Sequence, residues 1–135
     1  MERLVVLVVL SALAVAVALL LQRRRPDPPT APSYRAPRQL DRADFESRDI
    51  TVLIVVWASE TCATCPLVWD LVAGRTTDRV ATQLVTVQDG ADLHQRYRID
   101  AVPTTVVVDA QGVVAKAYFG PVDGEDLDET VAQLV

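Results

Sequence analysis

Scarcity sets the first limits on this chain of 135 residues: it has two cysteines, one histidine and five glycines. Two cysteines cannot build a disulfide framework, so the pair reads as functional rather than structural. A zinc site needs three or four ligands, and the soft ones stop at Cys62, Cys65 and His94, so no metal is expected. His94 itself, in a predicted helix near Arg96 and Arg98, reads as a surface residue. Covalent haem attachment needs Cys-x-x-Cys-His, and Pro66 stands where that histidine would be. There is no glycine-rich phosphate loop and no catalytic triad. A basic patch interleaved with aromatics is also absent.

Charge is divided unevenly. The net charge is −5. Residues 1–39 carry six arginines against Glu2 and Asp27, a net of +4, while the remainder carries seven basic and sixteen acidic residues, a net of −9. So acidic a domain argues against nucleic acid as a partner.

Leu4 to Leu21 is apolar apart from Ser11. As a helix it reaches about 27 Å, close to the hydrocarbon thickness of a bilayer. Residues 4–21 are therefore expected to form a transmembrane helix in contact with lipid. A cleaved signal peptide is the alternative, but the small residues Ala12, Ala14, Ala16 and Ala18 lie inside the run, and the positive charge comes after it. No cysteine stands directly after the run to carry a lipid. Arg23, Arg24 and Arg25 after the helix outweigh Arg3 before it, which places the C-terminal domain on the cytoplasmic side. The extracytoplasmic side stays open, because arginines also stop a helix at either headgroup layer. Residues 22–39, with Pro26, Pro28, Pro29, Pro32 and Pro37, read as an extended linker holding residues 40–135 off the bilayer.

From Leu40 the pattern is globular. Asp41 is expected to cap a short helical turn. Thr51–Trp57 reads as a buried strand, because its apolar, β-branched run suits a sheet covered on both faces. A helix is expected from about Cys62 to Ala73, stopped by Gly74. Further pieces are a helix over Thr77–Ala81, a strand over Leu84–Val87 and a helix over Ala91–Tyr97 capped by Asp89. A hairpin of Thr104–Asp109 with Val113–Phe119 turns at Ala110-Gln111-Gly112, and a last helix is capped by Asp123. The order β-α-β-α-β-β-α predicts an α/β fold: a mixed sheet with helices on both faces.

Chemistry concentrates in Trp57-Ala58-Ser59-Glu60-Thr61-Cys62-Ala63-Thr64-Cys65-Pro66. Two residues between the cysteines let both sulfurs reach disulfide distance. The thiol nearer the helix start sits in the positive end of the helix dipole, which favours thiolate, the nucleophile of disulfide exchange. Cys62 is thus the candidate nucleophile and Cys65 the resolving thiol. Trp57 reads as both core and active-site wall, and Trp69 as helix packing. Glu60 either raises the Cys62 pKa by like charge or is a solvated loop acid.

Three sets of residues resemble the thioredoxin family over roughly residues 40–135. These are Trp57-Ala58 ahead of Cys62-x-x-Cys65, Ile99-Asp100-Ala101-Val102-Pro103-Thr104 and the glycines Gly112 and Gly120. The resemblance implies a thioredoxin-like fold in which Pro103 is cis beside the sulfurs, with Val102 and Thr104 flanking bound substrate and Trp57 in the same site. Taken alone, Val102-Pro103 is an ordinary turn before a strand. There are departures. Val56 replaces the family's buried Asp, Thr61 its Trp, and Ala63-Thr64 its Gly-Pro. These, with Pro66, are similar to the membrane-tethered, dedicated thioredoxin-like proteins of bacteria. The resemblance thus implies a membrane-anchored thiol–disulfide oxidoreductase needing no bound cofactor. It would act on a protein disulfide or dithiol and exchange electrons with another thiol protein, such as an integral membrane redox partner. The alternative is a tethered, non-catalytic binding module in which the cysteines form a static disulfide.

Overall fold

The structure is a computed structural model that describes residues 1–23 and 34–135. The chain divides into two units, Met1–Ser33 and Tyr34–Val135. In the first, helix α1 spans Glu2–Arg23. Its 22 residues reach about 33 Å. Over Glu2–Leu20 the mean hydropathy is 2.8 and no residue is buried, so α1 is long and apolar enough to cross a membrane. Arg24, Arg25 and the prolines Pro26, Pro28, Pro29 and Pro32, on which the orientation and linker expectations rest, lie outside the described residues.

In the second unit, strands β1 (Val52–Ala58), β2 (Val80–Thr86), β3 (Thr104–Val108) and β4 (Val114–Phe119) form one sheet in the order β2-β1-β3-β4. β1 runs parallel to β2 and antiparallel to β3, which pairs antiparallel with β4. Helices α2 (Cys65–Ala73), α3 (Ala91–Arg96) and α4 (Gly124–Ala132) connect and cover the strands. This is the mixed sheet with flanking helices expected from the sequence.

The sheet forms because β1 is apolar on both faces. Leu53, Val55 and Trp57 point to one side, where Phe45, Val85, Leu93 and Tyr97 pack. Val52, Ile54 and Val56 point to the other, against Val68 and Val72 of α2 and Leu127 of α4. All seven β1 residues are buried, a transfer term on the order of 10 kcal/mol. Asp123 caps α4 by accepting from the N–H groups of Glu125 and Asp126.

Several local expectations need correction. Thr77–Ala81 is not helical: the Thr77 hydroxyl accepts from the N–H groups of Arg79 and Val80, and β2 has begun by Val80. The cause is pairing, since Val80 and Ala81 stand opposite Val52 and Leu53. Asp89 does not cap α3, whose N-cap is Gly90; its carboxylate accepts from the Thr86 hydroxyl instead. Nor do residues 34–39 behave as linker. Gln39 bridges Val113, Ala36 packs against the core, and Tyr34 lies 5.8 Å from the Phe119 ring.

Tyr97 braces the α3 face. Its hydroxyl accepts from the Asp41 N–H at 3.0 Å and donates to the Asp44 carboxylate. Burial, then the bond to Asp44, pushes its phenol above the ordinary value. A raised pKa gives stability that is present below the unfolded value, near 10, and is lost as pH climbs through the native one. Tyr97→Phe is expected to cost about 1 kcal/mol at neutral pH and to flatten the alkaline loss, read by urea unfolding at several pH values. Gly112 and Gly120 both adopt positive φ, 85° and 79°. A Cβ at Gly112 would lie 2.1 Å from the Leu40 carbonyl oxygen, whereas Gly120 has open space. Gly120→Ala should therefore cost about 1–2 kcal/mol from backbone strain alone. Gly112→Ala should cost distinctly more, and equal losses in the same unfolding assay would contradict this account.

Candidate functional site

β1 delivers the chain to the site at Ala58, and a turn from Ser59 to Thr64 separates it from α2. The Cys62 N–H donates to the Ser59 carbonyl at 3.1 Å, and the Ser59 and Thr61 hydroxyls lie 3.1 Å apart. The first helical bond runs from the Val68 N–H to the Thr64 carbonyl, so α2 begins at Cys65 and Cys62 lies in the turn ahead of it. That shortens the expected helix by one turn. Pro66 sits in the first turn, where its missing N–H would have had no intrahelical partner.

Cys62 and Cys65 form a disulfide with their Cα atoms 5.5 Å apart. The two sulfurs are inequivalent. Cys62 is half-buried at the rim, with Sγ 3.7 Å from the Thr64 hydroxyl, whereas Cys65 is only 4% exposed. An incoming thiolate or disulfide therefore meets Cys62 first.

The Val102–Pro103 peptide bond is cis. Two bonds hold its loop: the Thr104 hydroxyl donates to the Ala101 carbonyl at 2.7 Å, and the Gly120 N–H donates to the Pro103 carbonyl at 2.9 Å. Of the three loop residues expected at the substrate site, Val102 alone reaches the surface, half-buried; Pro103 and Thr104 are buried. Thr104 is thus a brace, because its side chain faces inward as the first residue of β3. A groove of about 460 Å³ joins Val102 to Ser59, Thr61, Cys62, His94 and Asp100. A smaller groove of about 250 Å³ on the other side of the disulfide includes Glu60, Pro66, Trp69 and Leu84.

Trp57 does not reach either groove. It is fully buried, with ring centroids 5.2 Å from His94, 5.7 Å from Tyr97 and 6.3 Å from Phe45. Its position one residue before the end of β1 turns it onto the α3 face, so it supports the site from below and offers no surface to substrate. His94 reverses its expectation: it is 6% exposed, and Nε2 lies 3.0 Å from the Val85 carbonyl. The signal for its burial was its place three residues before Tyr97 and next to Leu93, both of which pack against the core. Val56 is fully buried among Val68, Val72 and Leu127, so no acid lies at that position beside α2. Glu60 is exposed, and its N–H is held by the Gln88 side chain. Among the described residues there is no cluster of three or more potential metal ligands.

No protein-family model matches the sequence, and no curated protein does either. Solved structures do match. A mutant thioredoxin from Halobacterium salinarum is similar at 21% identity and a TM-score of 0.56, covering 65% of this chain and 78% of its own. Chloroplastic thioredoxin z is similar at 28% identity and a TM-score of 0.56, covering 65% and 80%. The reduced thioredoxin pre-protein of Schistosoma mansoni is similar at 15% and 0.52, covering 64% and 82%. The second unit therefore has a thioredoxin-like fold, and its Cys62–Cys65 disulfide at the end of the central strand supports a redox role of the oxidoreductase kind.

Proposed function

We propose that this protein is a membrane-anchored thiol–disulfide oxidoreductase in which Cys62 is the nucleophile and Cys65 the resolving thiol. The observation that carries the reading is the inequivalence of the two sulfurs: Cys62 on the wall of an open groove, Cys65 buried behind it. In the reducing direction the Cys62 thiolate attacks a protein disulfide. One substrate sulfur leaves as a thiolate, and a mixed disulfide forms. Cys65, deprotonated, attacks the Cys62 sulfur, the second substrate thiolate leaves, and the Cys62–Cys65 disulfide closes. Two electrons have passed to the substrate, and a donor dithiol restores the pair by the same steps in reverse. The Val102 backbone makes no hydrogen bond among the described residues, so its N–H and carbonyl are available to an extended substrate strand beside the sulfurs.

In this reading α1 is an uncleaved anchor, a linker connects it to the domain, and the domain exchanges electrons with a thiol protein of the same membrane, at a raised effective concentration. The arginines after α1 favour the cytoplasmic side for the domain. One feature favours the static-disulfide module instead: Val56, which leaves an apolar wall where a proton-transfer group would serve Cys65.

Both readings meet the same test. Full-length protein in detergent micelles should accelerate reduction of a protein disulfide by dithiothreitol, and Cys62→Ser should abolish the gain. Cys65→Ser should accumulate a mixed disulfide on nonreducing gels. Unchanged turnover in Cys62→Ser, or no adduct in Cys65→Ser, favours the static module. For sidedness, a membrane-impermeant reductant followed by a membrane-impermeant maleimide, both added to intact cells, should leave Cys62 unlabelled until the cells are opened. Labelling of intact cells would put the domain outside.

A further inference from the structure

The groove beside Cys62 has a titratable floor that disulfide exchange by two cysteines alone does not require. His94 is the single histidine of the chain. It lines the Cys62 groove and also an adjoining one with Ala91, Gln95 and Arg98, so its outer edge lies where the two meet. Its inner edge is fixed. The Val85 carbonyl can only accept, so Nε2 carries the hydrogen of that 3.0 Å bond and Nδ1 is the nitrogen left to gain or lose a proton. Packing against Trp57 at 5.2 Å holds the ring in place.

We propose that His94 is a positioning residue for Cys62: in the reduced protein its imidazolium stabilises the Cys62 thiolate across the groove, coupling the redox equilibrium of the pair to pH. The inference rests on reading Cys62 and Cys65 as an exchanging pair. The step balances. A donor dithiol gives up two electrons and two protons and becomes a disulfide, and the Cys62–Cys65 bond breaks. One proton goes to Cys65 and one to His94 Nδ1, leaving Cys62 as thiolate.

The surroundings favour this. Val56 puts no acid or base at its buried position beside α2, and His94 is the one basic side chain that lines the groove. Neither β2 nor β1 brings a charge against it, as the contacts there are Val85 and Trp57. The charged and titratable groups on neighbouring segments are Glu60 in the active-site turn, Asp89 before α3, Asp92 and Arg96 on it, and Tyr97, Arg98 and Asp100 after it. Arg96 is already paired with Asp41 and Asp44, and Tyr97 is bonded to Asp44. Asp100 is the carboxylate that lines the same groove. Cys62 and His94 both line this groove, and near a protein surface two unit charges about 10 Å apart shift an ionisation about tenfold.

Full-length protein in micelles with 15N-labelled histidine gives one imidazole signal pair. On reducing the disulfide at fixed neutral pH, the Nδ1 resonance should move toward the imidazolium position; an unchanged resonance overturns the proposal without any variant. His94→Gln retains a donor for the Val85 carbonyl. It should slow alkylation of reduced Cys62 at pH 6 about tenfold and lower the reduction potential by about 30 mV, the equivalent of tenfold in the equilibrium constant. A folded His94→Gln protein with the wild-type alkylation profile and potential also overturns it. A pair that never equilibrates with dithiothreitol removes the exchange reading itself, whereas one that equilibrates while the imidazole stays silent removes only the role of His94.

Discussion

Burial of β1 on both faces is the constraint on which the rest of the domain depends. Each of its residues has a side chain inside, so it must be the middle of a sheet with helices above and below. β2 and β3 satisfy its backbone, one in each direction, and the two hydrophobic clusters satisfy its side chains. A strand so enclosed is rigid, and it ends at the turn that carries Cys62. Rigidity where the strand ends is useful for disulfide exchange, because three sulfurs must align with little reorganisation.

The site divides the labour between its two cysteines by depth. Cys65 starts α2, and that helix packs Val68 and Val72 into the core, so its first residue is drawn inward. Cys62 belongs to the turn and stays at the rim. The cis loop closes the site from the β3 side, pinned by Thr104 to itself and by Gly120 to the start of the last segment. Thr104 and Gly120 lie outside the groove, and the loop they hold puts Ala101 and Val102 on its wall.

Features carried by local pattern were legible in the sequence. The β-branched run of β1, the Cys-x-x-Cys spacing, the hairpin through Gly112 and the Asp123 cap all announce themselves within a few residues. Features set by partners elsewhere in the chain were not. Val80 and Ala81 become strand because β1 needs a parallel neighbour there, although Thr77-Asp78-Arg79 before them carries little strand preference. His94 carries a polar side chain among charged neighbours and reads as surface. Its burial depends on a carbonyl of β2 and the ring of Trp57, nine and 37 positions away. Thr104 reads as a contact residue by its place after Pro103, but it opens β3, a strand buried along its whole length, and its hydroxyl bonds back to the Ala101 carbonyl. Residues 34–39 look like linker because of Arg35, Pro37 and Arg38, yet they lie along the β4 edge.

The most direct test of this account concerns the depth of the two sulfurs. Reduced full-length protein, treated with less than one equivalent of iodoacetamide and digested for mass spectrometry, reports which thiol reacts. The account predicts modification of Cys62 with Cys65 left essentially free. Equal modification, or a preference for Cys65, would contradict it.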